Sequence, residues 1–375
     1  MFADKVNNMR AHIIYFNFLK PDGEGFSLGG IQTYILNLIP VLRECGYEVT
    51  VYQRSQINFH KDFDGYDVYG LKNLKEPGVE VATALLDFTL SHVNVKDDLI
   101  LYGCESCITR KVDCKTIAIQ HGISWDIQSE KCSGLRYMRK FLGKYYTTWK
   151  TVRRVEKADQ LICVDYNFVN WYRAVTPYVR TNLVTIPNFT AIPQEMPQKD
   201  SDVINIIFAR RFFPHRGTRL FTDVVERLLD KWPVVRITIA GDGPDASYMH
   251  GKLDKFSNVS FISYESKDSM KIHADKHIAV VPTLGSEGTS LSLLEAMASG
   301  CAVVCTNVGG MTNIVLDGYN GLCIEPSEQP LYDALDKLVA DTEYRAMIQR
   351  YAYDTVSKSF SRDKWRNNWK RVLMS

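Results

Sequence analysis

The sequence predicts an α/β protein of two domains, each built on a parallel sheet. At 375 residues the chain is too long for one ordinary hydrophobic core and has about the length of two domains. In both halves, short apolar segments alternate with segments of helical period, which is typical of doubly wound sheets. Between the halves, residues 186–202 are rich in proline and polar residues and indicate a linker.

The first domain is predicted over residues 1–188. A long helix over residues 135–158 precedes its last predicted strand. Its strands are expected over residues 12–18, 47–53, 99–102, 116–120 and 160–164, and a first helix over residues 30–44.

The second domain is predicted over residues 203–358, after a linker over 189–202. Residues 359–375 form a last helix, with Trp365, Trp369 and Val372 on one stripe. In the second domain, strands are expected over residues 204–209, 235–240, 259–262, 278–282 and 302–306, and a helix over residues 218–231.

Composition excludes several classes of protein. Hydrophobic and charged fractions of 45% and 23% are those of a soluble globular protein, and a net charge of +2 argues against a broad nucleic-acid-binding field. The first ten residues are polar, so no signal peptide is expected. With no apolar run long enough to span a bilayer, we expect a cytoplasmic protein.

Two patterns in the first half resemble metal sites. Cys104 and Cys107 form a single C-x-x-C among nine cysteines. Two interpretations are open: a zinc site or, more simply, thiols that are buried or have no function. Asp62 and Asp64 form a D-x-D, which we expect in a polar loop. Since neither pattern has its usual companions, no obligatory metal or other cofactor is expected.

The most informative stretch is residues 285–300, in which Glu287 and Glu295 stand eight positions apart across a predicted helix start. Thr289 or Ser290 can cap this helix, and Gly300 can end it. The free backbone amides at a helix start can bind phosphate, and each ionised glutamate can accept hydrogen bonds from a pair of hydroxyl groups. In chain order, Glu287 would therefore bind a sugar, the amides at the helix start a diphosphate, and Glu295 a ribose.

This stretch closely resembles the E-x7-E signature of family 4 glycosyltransferases, although two ordinary helix-surface glutamates are the alternative. The resemblance implies the GT-B fold: two Rossmann-like domains facing each other across a cleft, with a C-terminal helix crossing back to the first domain. It also implies that Glu287 contacts the donor sugar and Glu295 the ribose. The amides that would hold the donor belong to Gly288, Thr289, Ser290 and Leu291.

A second motif, residues 210–217, follows a predicted strand and resembles the family's G-R-x-x-x-x-K-G segment. We place Arg211 on the family's arginine and Arg216 on its lysine, so that two guanidiniums offset the diphosphate charge. Arg210 is expected to be solvated. Tyr264, after another strand, could stack on the base or serve only packing.

The first domain contributes three further candidates. Gly29 and Gly30 resemble the family's N-terminal glycine pair beside the donor phosphates, with a plain helix-entry turn as the alternative. His121 ends a predicted strand and matches the cleft histidine that contacts the donor sugar. Asp126 either faces the acceptor and takes its proton or caps a turn.

The resemblance implies transfer of a sugar from a nucleotide-diphosphate donor to a glycan or lipid-linked acceptor, with retention of configuration, in polysaccharide or glycoconjugate assembly. A UDP-sugar epimerase and a non-catalytic nucleotide-sugar-binding subunit remain alternatives. The basic, aromatic residues 136–154 either contact anionic lipid headgroups at the inner face of a membrane or form a solvated helix.

Overall fold

A computed structural model describes residues 9–27, 29–127, 132–199 and 203–375. Three residues of the expected linker, 200–202, lie outside this part. The chain divides into a first unit, comprising residues 1–121, 132–186 and 366–375, and a second unit, comprising residues 122–131 and 187–365. The described residues 122–127 thus group with the second unit, whereas the sequence predicts them in the first domain.

The first unit has an eight-stranded sheet. Its strands are β1 (Met9–Ile14), β2 (Tyr47–Ser55), β3 (Phe59–Phe63), β4 (Tyr66–Lys72), β5 (Leu99–Tyr102), β6 (Lys115–Gln120), β7 (Gln160–Cys163) and β8 (Asn182–Thr185). They lie in the order β3-β4-β2-β1-β5-β6-β7-β8, all parallel except β3. Its helices are α1 (Gly30–Glu44), α2 (Val79–Leu90), α3 (Gly134–Val155) and α4 (Tyr166–Val175).

The second unit has a six-stranded, entirely parallel sheet. Its strands are β9 (Asn205–Ala209), β10 (Arg236–Ala240), β11 (Val259–Ile262), β12 (Ile278–Val281), β13 (Ala302–Thr306) and β14 (Leu322–Ile324), in the order β11-β10-β9-β12-β13-β14. The helices that follow in chain order are α5 (Thr218–Lys231), α6 (Ala246–Leu253), α7 (Ser269–His273), α8 (Leu291–Ala298), α9 (Glu328–Ala340), α10 (Thr342–Ser359) and α11 (Arg362–Met374).

The second sheet is buried on both faces. Along β9, Ile206 and Phe208 join one hydrophobic cluster, while Ile207 and Ala209 join another on the opposite face. Successive side chains of a strand point to opposite faces, so a strand with four apolar residues in a row needs a cover on each side. The α/β prediction is therefore confirmed, with helices supplying those covers.

The last helix, α11, contributes to both cores. Trp369 is fully buried and donates from its indole nitrogen to the Tyr34 hydroxyl at 2.8 Å within the first unit. Trp365 is also buried, and its ring lies 4.6 Å from that of Phe189 in the second unit. The predicted stripe of Trp365, Trp369 and Val372 is therefore buried.

The prediction that Asp62 and Asp64 lie in a polar loop is wrong for Asp62. It belongs to β3, where it is the register partner of Asp67 in an antiparallel hairpin. Asp64 and Gly65 form the two-residue connection, and Gly65 has φ of 84°. A hairpin turn with Asp-Gly requires this left-handed backbone, so the D-x-D resemblance has a purely structural explanation.

Candidate functional site

Helix α8 begins at the carboxyl edge of the second sheet, where β12 ends. Ser290 is its N-cap residue, and within the described chain its side chain makes no capping hydrogen bond. Leu293, Leu294 and Met297 are fully buried, so they hold the helix against the sheet. Gly300 has φ of 69° after the last turn, which confirms the predicted helix end. The amides of the first turn have no carbonyl partner within the helix and create a positive potential.

Glu287 stands just before this helix and is held by two guanidiniums. Its carboxylate accepts from Arg210 Nη2 at 2.6 Å, from Arg216 Nη1, and from Thr283 Oγ1 at 3.3 Å. Burial by itself would raise the pKa of Glu287, but the two arginines outweigh it and the net shift is downward. Glu287 is therefore ionised at neutral pH.

Arg210 is the residue that sequence reasoning missed. Its side chain is 6% exposed, so the prediction that it is solvated is wrong. Its Nη1 is buried and lacks a hydrogen-bond partner among the described residues. Arg211 is exposed instead, and its guanidinium lies 5.6 Å from the centre of the Phe213 ring. One signal favoured Arg210: it is the first residue after β9, at the edge where open sheets bind ligands.

Arg216 reaches Glu287 because of a tight turn. Residues Pro214–Arg216 form one 3₁₀ turn, and Gly217 follows with φ of 77° before α5 begins. A Cβ at Gly217 would lie 1.9 Å from the carbonyl oxygen of Pro282, so only glycine fits between this turn and the end of β12. Arg216 is thereby placed beside the loop that carries Glu287, as predicted from the sequence.

The segment that contains Asp126 runs against the loop before Glu287. Asp126 Oδ1 accepts from the Ser286 amide at 2.6 Å, and Ser286 is the single described non-glycine residue with positive φ, at 60°. A Cβ on Gly122 would lie 2.7 Å from the amide nitrogen of Gly288. Asp126 therefore holds a strained backbone next to Glu287; the sequence-based hypothesis that it takes the acceptor's proton stays a prediction.

Glu295 lies on α8, away from the arginine pair. Its Oε2 accepts from Ser269 Oγ at 2.5 Å, and burial raises its pKa to about 7, against the opposing effect of Ser269. Tyr264 is half-buried, and its pKa rises to about 12 through burial and the nearby charge of Glu295. The sequence placed these two residues in one site, and the structure brings them close to each other.

Two backbone carbonyls of this loop, those of Glu287 and Thr289, accept hydrogen bonds from other parts of the second unit. Asn188 donates from Nδ2 to the carbonyl of Thr289 at 2.7 Å, and the Glu287 carbonyl accepts from the Gly310 amide at 3.0 Å. These two bonds tie the loop before α8 to neighbouring segments of the second unit.

In the first unit, His121 lies at the end of β6. Its Nε2 bonds the Gly103 carbonyl at 2.9 Å, and the Tyr34 ring meets it edge-on with centroids 5.3 Å apart. Burial lowers the pKa of His121 to about 4, so the ring is neutral at pH 7. Because a carbonyl only accepts, Nε2 carries the proton and Nδ1 is left as an acceptor. Helix α1 begins at Gly30, as predicted, with Gly29 as its extended N-cap.

The cysteine pair forms a local contact. Cys104 and Cys107 are buried with their sulfur atoms 3.4 Å apart. Among the residues that the structure describes, no group of three or more His, Cys, Asp or Glu side chains could hold a metal ion.

Comparison with known proteins identifies the class of this fold and site. Residues 192–355 match the family model of glycosyl transferases group 1. Over 357 residues the chain is 23% identical to an uncharacterized glycosyltransferase of Methanocaldococcus jannaschii, covering 90% of this chain and 92% of the relative. It is also 23% identical over 360 residues to a phosphatidyl-myo-inositol mannosyltransferase of Mycolicibacterium smegmatis, covering 89% of each.

Among solved structures, the sucrose-phosphate synthase of Thermosynechococcus elongatus superimposes with a TM-score of 0.78 at 16% identity, covering 98% of both chains. The two-sheet architecture is thus the GT-B fold. The matched residues 192–355 include Glu287 and Glu295, so the match to the group 1 glycosyltransferases confirms the resemblance predicted from these two residues.

Proposed function

We propose that this protein is a glycosyltransferase that moves a hexosyl group from a nucleoside diphosphate sugar to a glycan or lipid-linked acceptor, with retention of anomeric configuration. The observation that carries the proposal is the convergence of Arg210 and Arg216 on Glu287 beside the start of α8. Polysaccharide or glycoconjugate assembly is the setting that such acceptors imply.

The arginine pair and the helix start supply the phosphate site. Two guanidiniums against one carboxylate leave a local excess of about one positive charge, to which the α8 amides add about half a charge. The buried Nη1 of Arg210 is a donor with no described partner, and a buried unpaired donor is costly. A diphosphate oxygen would satisfy it.

The two glutamates and a tyrosine supply the flanking contacts. Ionised Glu287 would accept hydrogen bonds from donor-sugar hydroxyls, and Glu295 from the two ribose hydroxyls. Tyr264, half-buried beside Glu295, would stack on the base. Gly288, Thr289, Ser290 and Leu291 contribute backbone donors, and hexose selectivity would depend on the small side chains of Thr289 and Ser290.

In the reaction, the bond between the anomeric carbon and the leaving diphosphate oxygen breaks while the acceptor oxygen bonds to that carbon from the same face. Negative charge grows on the diphosphate, where Arg210, Arg216 and the α8 amides stabilise it. The acceptor's proton passes to a phosphate oxygen. No metal ion is needed in this step, because guanidiniums and amides neutralise the leaving group.

Residues of the first unit and of segment 122–127 complete the proposal. Neutral His121 would accept from a sugar hydroxyl through Nδ1, and Gly29 and Gly30 would allow close approach of the phosphates. We assign Asp126 a positioning role, through the Ser286 amide. Arg211, being exposed, would contribute less than the sequence motif suggested.

A lipid-linked acceptor would place the enzyme in peripheral contact with a membrane. The similarity to a phosphatidyl-myo-inositol mannosyltransferase over 89% of both chains supports an acceptor of this kind. Among the described residues, no helix is long and apolar enough to cross a bilayer.

The test is nucleotide release. We expect the purified chain, given UDP-, GDP- and dTDP-sugars in turn, to release nucleoside diphosphate faster when a suitable glycan or glycolipid acceptor is added, and the product to keep the donor's anomeric configuration by NMR. Isomerised sugar nucleotide without acceptor would favour an epimerase. Tight donor binding without turnover across the panel would favour a binding subunit.

A further inference from the structure

Helix α3 carries an unusual charge distribution. Its 22 residues include seven basic side chains and no acidic one, although the whole chain has a net charge of only +2. Basic residues on a helix are ordinarily interspersed with acidic partners three or four positions away, which stabilise it. No acidic residue lies within α3 itself, so the helix carries a concentrated positive charge.

The apolar side of α3 is exposed to solvent. Met138, Phe141, Leu142, Tyr145 and Trp149 recur at the spacing of one helical stripe and are between 47% and 66% exposed. A surface helix normally turns such a stripe toward the core, yet in α3 the buried residues are two near its end. The stripe is therefore an exposed apolar patch, which marks an interaction surface.

Some of the basic residues flank this stripe on both sides, whereas Arg136, Lys140 and Arg154 lie on the opposite face of the helix. At 3.6 residues per turn, Arg139 lies about 110° to one side of the centre of the stripe and Lys144 about 110° to the other. Arg153 stacks on Trp149 with its guanidinium carbon 4.6 Å from the ring centre. Aromatic and aliphatic groups in the middle with cations at the edges are the arrangement of helices that lie in a membrane interface.

Charge and shape select among possible occupants. A second copy of the chain would bring seven further basic side chains against the first seven, and these would repel each other. A nucleic acid would match the charge but would leave Met138 and Leu142 without an apolar environment. An anionic bilayer satisfies both demands, because phosphates meet the cations and acyl chains receive the stripe.

We propose that α3 is a membrane-docking helix that lies in the surface of a bilayer rich in anionic phospholipid. Its apolar stripe inserts between the headgroups, and its flanking basic residues contact lipid phosphates. The inference rests on the proposed function in that it names the surface where the enzyme meets a lipid-linked acceptor.

Vesicle sedimentation tests the proposal. The purified full chain is mixed with vesicles of phosphatidylcholine, with or without about one third phosphatidylglycerol, at physiological salt. We expect binding to the anionic vesicles and at least about tenfold weaker binding to the neutral ones, because each basic residue near the surface contributes to attraction. Equal binding to both compositions, or none to either, would overturn the proposal.

Two double variants separate the contributions. Phe141→Ser with Leu142→Ser removes apolar contact, and Arg139→Glu with Lys144→Glu reverses charge; each is expected to weaken anionic-vesicle binding at least about tenfold. The matched controls are Leu74→Ser with Val95→Ser and Lys96→Glu with Lys111→Glu, all at exposed positions of the same unit. Controls that lose binding as strongly as the α3 variants would overturn the role of α3.

Two further measurements distinguish this inference from other outcomes. Sedimentation velocity without lipid is expected to give a monomer for the parent and both variants; a dimer that dissociates in the serine variant would assign the stripe to a second copy and overturn the proposal. Nucleotide binding and transfer to a water-soluble acceptor are expected to be unchanged in the α3 variants. Vesicle binding without any sugar transfer would contradict the proposed function alone.

Discussion

Asp126 Oδ1 lies 2.6 Å from the amide nitrogen of Ser286, a residue 160 positions further along the chain. Ser286 adopts a left-handed backbone and is followed directly by Glu287, which two arginines hold. The carboxylate of Asp126 therefore fixes the backbone from which the Glu287 side chain projects.

Asp126→Ala is expected to lower kcat/KM for sugar transfer by about tenfold to a hundredfold, since a hydrogen bond to a charged group contributes about 1.5–3 kcal/mol. The loop would lose its anchor while the core stays intact, so the protein should still fold and should unfold at a somewhat lower temperature. Steady-state kinetics with the best donor and acceptor provide the measurement.

Asp126→Asn separates positioning from proton transfer. Asparagine keeps a carbonyl oxygen that accepts from Ser286, so most of the activity should return in a positioning role. If Asp126 takes the acceptor's proton instead, the asparagine variant would be as inactive as the alanine variant, and the positioning assignment would be wrong.

Arg210 and Arg211 are adjacent residues with opposite environments. Arg210→Ala is expected to weaken binding of a nucleoside diphosphate by about tenfold to a hundredfold, because a buried charge-assisted contact is lost. Arg211→Ala should change binding by less than about threefold, since its guanidinium is exposed. Isothermal titration calorimetry measures both.

Arg210→Lys controls for a folding defect, because it keeps the charge beside Glu287. It should retain the unfolding temperature and part of the affinity. A ranking in which Arg211→Ala is the more damaging variant would instead support the original sequence alignment.

The sequence predicted the fold class, and it pointed to several residues of the candidate site, because these signals are local. Helix α1 and strand β5 begin and end as predicted, since apolar periodicity and neighbouring glycines mark them within a few residues. Glu287 and Arg216 were found in the same way, from motifs with fixed spacing. The Asp64-Gly65 turn was also a local signal, and was overlooked.

Other features depend on contacts that spacing does not encode. Which of Arg210 and Arg211 turns inward is decided by how the chain leaves β9, where the Arg210 amide still bonds the Ala240 carbonyl at 3.0 Å. The bond between Asp126 and Ser286 joins residues in different halves of the sequence. Long-range pairs of this kind arise from tertiary packing and leave no periodic trace.

Ser286 should tolerate glycine better than a branched side chain. With φ of 60°, a β-branched residue is strained by about 1–2 kcal/mol, while glycine adopts this backbone freely. We expect Ser286→Val to lower the free energy of unfolding by that amount and Ser286→Gly to leave it nearly unchanged, measured by urea denaturation.

Ser327→Val is the matched control for this prediction. Ser327 is the exposed N-cap residue of α9, and within the described chain its side chain makes no capping hydrogen bond. Its φ of −146° is an extended backbone that valine accepts, so the substitution should have little effect. Equal losses of stability at both positions would mean that the backbone of Ser286 is not the cause.

The raised pKa of Glu295 predicts a pH-dependent affinity for nucleotide. Its value of about 7 results from burial, which disfavours the carboxylate. If ribose hydroxyls donate to the carboxylate form, binding should weaken as the pH falls through 7. Between pH 8 and pH 6 the ionised fraction drops by about tenfold, so the Kd for UDP should rise by about tenfold.

Glu295→Gln isolates this effect from the nucleotide's own titration. A terminal phosphate has a pKa of about 6 and changes charge in the same window, but it does so equally in both proteins. His121, with a pKa of about 4, stays neutral, and Glu287, with a lowered pKa, stays ionised. The difference in slope between parent and variant therefore reports on Glu295 alone. Parallel slopes would mean that Glu295 does not contact the ribose. Of Glu287 and Glu295, only Glu295 titrates near neutral pH, so a nucleotide bound to its carboxylate would have to sense that titration.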